Sequence, residues 1–218
     1  MSIVKPWAWT VTCCAALAIA GYYLADGQVL HWIFKPLTTL LILAMAWSLR
    51  PIGRYRRWIM IGLLLSTLGD VFLMLPGDYF VQGLLSFLIA HGAYLWAFGT
   101  RAAWGARALP LLCYAGVGAS VLGLLWSGIP SALRVPVLVY VVALCAMAAQ
   151  ATVIWRIQRD WASACAALGG ALFVFSDSII AINRFVAPFE YSKAVILISY
   201  WMAQWLIARS IYRQDAVN

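Results

Sequence analysis

The chain has 218 residues, of which 65% are hydrophobic and only 10% charged. A water-soluble domain carries roughly 25% charged residues, so a soluble fold of this composition is excluded. The net charge of +8 does not mark a nucleic-acid binder, because the basic residues form no single stripe and fall in short bursts between apolar runs, the pattern of the positive-inside rule.

Eight apolar segments follow one another, each long enough to cross ~30 Å of hydrocarbon at ~1.5 Å per residue. The first, 7–24, follows Lys5 and runs through Ala18-Ile19-Ala20, somewhat as a cleavable signal peptide does. One basic residue makes a thin leader, so the segment is read as a retained helix. The second, 32–49, opens with Lys35-Pro36, and the third, 58–75, carries Asp70. Pro76-Gly77-Asp78 then makes a tight turn into the fourth, 81–100, which holds His91 and Tyr94. The fifth, 108–127, closes at Gly128-Ile129-Pro130, and the sixth, 134–155, opens with Arg134-Val135-Pro136 and holds Tyr140. The seventh, 162–182, contains Gly169-Gly170 and Asp177 and leads into Asn183-Arg184. The eighth, 192–212, contains Gln204. The expected fold is all-α: one integral membrane domain over 1–218, a bundle of eight transmembrane helices.

The loops set the orientation. Arg50, Arg54, Arg56, Arg57, Arg101, Arg107, Arg156, Arg159, Arg209, Arg213 and Lys5 fall on one side. The other side has only Lys35, Arg134, Arg184 and Lys193, mostly at helix ends. Both termini are therefore expected in the cytoplasm, in the inner membrane if the source is bacterial. Trp7, Trp9, Trp32, Trp58, Trp126, Trp155 and Trp161 lie near segment ends, as an aromatic belt requires. A faint internal echo runs through the chain: segments two and six open with a basic residue and a proline, and segments three and seven carry the aspartates. Two parallel four-helix halves would produce it.

Asp70 and Asp177 are the unusual residues, two of only seven acids in the chain. An ionised carboxylate in hydrocarbon costs several kcal/mol, so it keeps its proton or finds a partner. With the orientation above, each lies ~8 Å below the outer boundary at helical rise. Tyr140 lies ~9 Å in by the same measure. Lys35, Asp78 and Asn183 fall at the outer rim, His91 near mid-membrane, and Gln204 deepest. The polar residues thus converge on the outer half, near the height of a lipid's glycerol linkage. Ser66 and Thr67 precede Asp70 on its helical face, and Phe173 and Val174 precede Asp177. Asp70 is therefore expected to bond hydroxyls and Asp177 to face apolar company. Carboxyl groups in unlike surroundings can hold different protonation states.

Each residue has a structural reading beside the functional one. Asp70 and Asp177 could be ion-paired to Lys35, Arg184 or His91. Lys35 could snorkel to the interface, Asn183 could cap its helix, and Gln204 could join two helices. Asp78 suits a solvated turn, and the glycine pair suits close helix packing. Cys13, Cys14, Cys113, Cys145 and Cys165 lie in apolar segments without metal-ligand spacing and read as packing residues. No GxSxG elbow, HExxH, Walker motif or dinucleotide fingerprint occurs. With only His31 and His91, a histidine-rich zinc site is not expected.

Several ordered stretches carry a resemblance. They are Lys35-Pro36-Leu37-Thr38-Thr39, Leu68-Gly69-Asp70 through Pro76-Gly77-Asp78, Phe87 through His91-Gly92-Ala93-Tyr94, Phe175-Ser176-Asp177-Ser178, Ala181 through Phe185, and Tyr200 through Ile207. Together they resemble the YhhN-type lysoplasmalogenase family over almost the whole chain. The resemblance implies an eight-helix membrane hydrolase of lysophospholipids that cleaves the vinyl ether bond to a fatty aldehyde and a glycerophospho-base, with neither metal nor other cofactor. By it, Asp70 and Asp177 are the candidate catalytic pair. The residue chemistry suggests that His91 or Tyr94 orients water or tunes that pair, and that Lys35, Asn183 and Arg184 hold the phosphate. Tyr140 and Gln204 complete the expected substrate-binding set. Two other readings remain: an intramembrane aspartyl protease, whose YD and GxGD signatures are not reproduced, and a proton-coupled lipid or small-molecule transporter.

Overall fold

The structure, a computed structural model, describes residues 4–212; Arg213, among the expected cytoplasmic charges, lies outside them. Among the described residues the regular elements are eight α-helices. They are α1 (Val4–Tyr23), α2 (Gln28–Ser48), α3 (Arg54–Phe72), α4 (Phe80–Gly99), α5 (Ala108–Leu125), α6 (Ser131–Gln158), α7 (Trp161–Phe185) and α8 (Ser192–Arg209). Five of these, α2 and α4 to α7, are long and apolar enough to cross a membrane. The remaining three are as long, but arginines in α3, aromatics in α1 and polar residues in α8 dilute their apolar content.

Helix ends differ from expectation where turn chemistry intervenes. α3 stops at Phe72 rather than 75. Pro76 disfavours a helical residue before it, and Gly77 sits at φ 118°, open only to glycine at low cost. Asp70 therefore stands in the last turn of its helix. α7 instead runs on to Phe185, so Asn183 and Arg184 belong to its final turn.

Side chains from successive loops gather at opposite ends of the bundle. At one end Tyr55 bonds Ser210, Gln158 donates to the Arg101 carbonyl, and the Arg101 guanidinium lies 3.4 Å over the Tyr55 ring. At the other end Arg184 bonds Asp78, the Tyr23 hydroxyl accepts from the Ala194 amide, and Phe80 meets Phe185 edge-on. The chain therefore runs up and down, with α1 to α4 and α5 to α8 each packed in sequence. The halves join where α4 meets α6 and α2 meets α8, an exchange that maps one half on the other.

Close approach at the seams depends on missing side chains. A Cβ on Gly169 would lie 3.0 Å from the Ala203 carbonyl oxygen on α8, and one on Gly170 would lie 3.0 Å from the Ala148 Cα on α6. The glycine pair thus seats α7 against both neighbours, as expected for small residues at membrane helix interfaces. The five cysteines are free thiols, two of them exposed on helix faces.

Candidate active site

Asp70 and Asp177 line one polar cavity of about 810 Å³ between α1, α2, α3, α4, α7 and α8. Lys35, His31, Lys193 and Arg184 line it too; Lys35 pairs with Asp70 and Arg184 with Asp78, and Lys193 makes no ion pair among the described residues. Asn183 and Asp78 also face it, near the turns.

Asp70, on α3, is 2% exposed and held by side chains of two other helices. Its Oδ2 accepts from the Thr39 hydroxyl of α2 at 2.8 Å and the Tyr200 hydroxyl of α8 at 2.7 Å. The Lys35 ammonium lies 3.8 Å from Oδ1 and donates to the Asp70 backbone carbonyl at 3.2 Å. Lys35 does not snorkel; it is buried and spent on the aspartate. Trp201 adds an indole donor to the Thr39 hydroxyl at 3.3 Å, fixing that oxygen's direction.

The hydroxyls expected beside Asp70 on its own helix serve other groups. Thr67 donates back to the Leu63 carbonyl at 2.9 Å, the usual fate of a mid-helix threonine. Ser66 meets the Tyr94 hydroxyl at 3.4 Å. Helical spacing places these residues on the face of Asp70, but their short side chains satisfy nearer partners.

Asp177 does not have the purely apolar company expected. Tyr140 of α6 donates a short hydrogen bond to its Oδ2. His91 Nε2 lies 3.0 Å from the same tyrosine hydroxyl and 3.5 Å from Oδ2. His91 is fully buried and its Nδ1 has no partner among the described residues. An unpaired acceptor costs less than an unpaired N–H, so the proton is assigned to Nε2. That orders the contacts: His91 donates to Tyr140, and Tyr140 donates to Asp177. Among the described residues none bonds Oδ1 of Asp177.

Phe173 stands edge-on between the two networks, its ring centroid 4.7 Å from that of His91 and 5.6 Å from that of Tyr200. Phe87 closes the cluster at 5.8 Å from Tyr200. These rings keep the two sets of donors apart although both carboxyls reach the same cavity.

The other expected residues divide by position. Arg184 bonds both oxygens of Asp78, at 3.0 and 3.1 Å, and lies 4.1 Å over the Phe80 ring. It therefore pairs with the turn residue and with neither membrane aspartate. Asn183 accepts from the Phe189 amide at 3.4 Å, tying down the chain after α7 while lining the cavity. Tyr94 donates to Gln204 at 2.6 Å, and neither residue lines the cavity. They form a deeper brace between α4 and α8, with Gly62 making room for the Tyr94 ring.

Thr39, Tyr200, His31 and Lys193 complete the site and were not singled out from the sequence. Spacing held a clue for two of them. Thr39 follows Lys35 by one helical turn, and Tyr200 precedes Gln204 by one, so each shares a face with a residue already marked.

A second hollow adjoins the first. It is a narrow apolar slot between α4, α5, α6 and α7, and Asp177 and Tyr140 line it. Leu73, Phe80, Phe87, Asp177 and Ile180 belong to both hollows. Asp177 thus stands at the junction of a polar space and an apolar one.

Comparison with known proteins agrees with this architecture. Residues 30–211 match the profile of the YhhN family. The human lysoplasmalogenase TMEM86A is 36% identical over 161 residues, covering 70% of this chain and 64% of the human protein. The chain thus spans a little under two thirds of that relative's length. The Mycobacterium tuberculosis lysoplasmalogenase is 35% identical over 201 residues, covering 88% of this chain and 74% of that protein. An Escherichia coli O157:H7 protein named uncharacterized membrane protein YhhN is 25% identical over 211 residues, covering 94% and 99%. No solved structure matches the chain at a significant level. Its apolar helices and these relatives make it a multi-pass membrane protein. The match over 182 consecutive positions, 30 to 211, places it: the chain belongs to the YhhN family.

Proposed function

We propose that this chain hydrolyses the vinyl ether bond of lysoplasmalogens, releasing a fatty aldehyde and a glycerophospho-base. The observation that carries the reading is the shared cavity, with two membrane carboxyls and the unpaired Lys193 on its wall. The relatives named lysoplasmalogenase supply the substrate class.

A vinyl ether is electron-rich, and its hydrolysis begins with a proton delivered to carbon. The product is an oxocarbenium ion. Water adds to it, a base takes the water's proton, and the hemiacetal breaks to aldehyde and alcohol. The protein must supply an acid, a carboxylate beside the cation, and a placed water. Asp177, with Oδ1 unbonded at the junction of the two hollows, is assigned the proton delivery. Asp70, ringed by the donors Lys35, Thr39 and Tyr200, is assigned the carboxylate that steadies the cation and accepts the water's proton. Tyr140 and His91 hold Asp177 in place, and the polar cavity that Asp177 lines gives its proton a route for renewal. Lys193, His31 and Arg184 face the phosphate, with Asn183 beside them. Tyr94 and Gln204 act from below as positioning residues.

The same reading has all eight helices crossing the bilayer, both termini cytoplasmic, and the cavity opening toward the outer leaflet. The burst of arginines at the opposite end supports that orientation. Membrane-impermeant labelling of Tyr191→Cys in intact cells is expected to succeed, and labelling only after lysis overturns the orientation.

The test of activity is mass spectrometry of the purified protein in detergent with an alkenyl lysophospholipid. Free aldehyde is expected, with none from the saturated ether analogue. Release from both lipids, or from neither, refutes vinyl ether hydrolysis.

A further inference from the structure

The apolar slot beside Asp177 takes no part in the chemistry above, yet it shares five lining residues with the cavity that does. Its wall is aliphatic and aromatic apart from a few groups, chiefly Asp177, Tyr140 and Cys145. On the α6 side Val141, Leu144 and Cys145 extend it beyond Tyr140, Cys145 lying ~7.5 Å further along at helical rise. On the α5 side Val117 and Gly118 face them. A Cβ on Gly118 would lie 2.9 Å from Cys145 Sγ and 3.1 Å from a Val141 methyl, so the slot narrows sharply there. α5 has few buried residues, only Pro110, Gly118 and Leu125, and packs mainly on α6.

The order of chemistries is specific. A polar cavity lined by Lys193 holds two carboxyls, and the second carboxyl also lines an apolar slot. An amphiphile with one anionic headgroup, one short polar linker and a single hydrocarbon chain presents the same order. A second hydrocarbon chain would need more room than this slot of about 60 Å³ offers.

We propose that this slot seats the hydrocarbon chain of a single-chain ether phospholipid, and that Val141, Cys145 and Gly118 set the chain length accepted. The assignment rests on the hydrolytic reading above for the position of the scissile bond at Asp177. Seating the chain here brings its first carbons past Oδ1, where the proton is required.

Two measurements test this. The first is the kinetics of aldehyde release over a homologous series of alkenyl lysophospholipids. Cys145→Phe is expected to raise KM for long members by more than tenfold while leaving kcat and short members unchanged. Val121→Phe, on the sparsely packed α5, is a second obstruction should Cys145→Phe fail to fold. Cys145→Ala is expected to move the preferred length upward. An effect equal for all lengths overturns the proposal. The second uses a saturated ether lysophospholipid with a diazirine near the chain end, on the wild-type protein. Crosslinks are expected in peptides holding 117–121 and 141–145, and crosslinks confined to α1 and α2 overturn the proposal. Slot labelling without aldehyde from any member refutes the hydrolytic reading while leaving the chain seat standing.

Discussion

The two membrane aspartates stand on corresponding helices of the two halves, α3 and α7, and meet different partners. Asp70 on α3 accepts from α2 (Thr39) and α8 (Tyr200). Asp177 on α7 accepts from α6 (Tyr140), with α4 (His91) behind it. Exchanging the halves turns α2 into α6 and α8 into α4, so the scaffold is shared and the donors are not. Asp70 gains a lysine ammonium and a second hydroxyl, is nearly enclosed, and faces only the polar cavity. Asp177 keeps one oxygen unbonded and faces both hollows. One fold can therefore make two carboxyl groups unlike by changing three or four neighbours, the condition for dividing acid and base work between them.

The largest expected effect comes from removing either carboxyl. Asp70→Asn and Asp177→Asn should each lower aldehyde release by about 10²–10⁴-fold, the usual worth of a positioned acid or base. Both variants should still extract as monodisperse protein, and full activity in both ends the division of labour. Lys35→Met comes next and bears on Asp70 alone. Leaving a buried carboxylate without its cation costs about 3–5 kcal/mol, which should appear as a lowered Tm in detergent. Adding Asp70→Asn should restore most of it; no restoration would mean that the lysine stabilises through other contacts. The tyrosines probe the comparison directly. Tyr140→Phe removes the hydroxyl donor of Asp177 and should reduce kcat by about tenfold or more. Tyr200→Phe leaves Thr39 and Lys35 on Asp70 and should reduce it less; the reverse order would exchange the assigned roles. The smallest effect is expected at the rim. Arg184 and Asp78 form an exposed pair of about 0–1 kcal/mol. Arg184→Ala should leave Tm nearly unchanged and raise KM by about threefold through the phosphate.

Much of this organisation is readable from the chain. Eight apolar runs, punctuated by Pro-Gly and Gly-Ile-Pro, locate eight helices to within a few residues. Asp70 and Asp177 stand out because charge is rare in such runs, and Lys35, Asn183 and Arg184 fall at the cavity as their heights suggest. Two neighbours of the carboxyls were also readable, Lys35 beside Asp70 and His91 beside Asp177; the hydroxyl donors were not. Ser66 and Thr67 share a helical face with Asp70, yet Thr39 and Tyr200, 31 and 130 positions distant, take the bonds. Arg184 sits within reach of several acids by height and chooses Asp78. Tyr94 and Gln204 were expected to bind substrate and instead brace α4 against α8 away from the cavity lining.

A helix rises by a fixed amount per residue, so sequence determines how high each side chain stands. It does not determine which way each helix is turned about its axis or which neighbour it meets. Those angles come from the Gly169-Gly170 seam, from the rings around Phe173, and from the joining of the halves through α4 with α6 and α2 with α8. Height was local and legible; facing was decided by packing among residues far apart in the chain, and only the assembled bundle produced the two adjoining hollows.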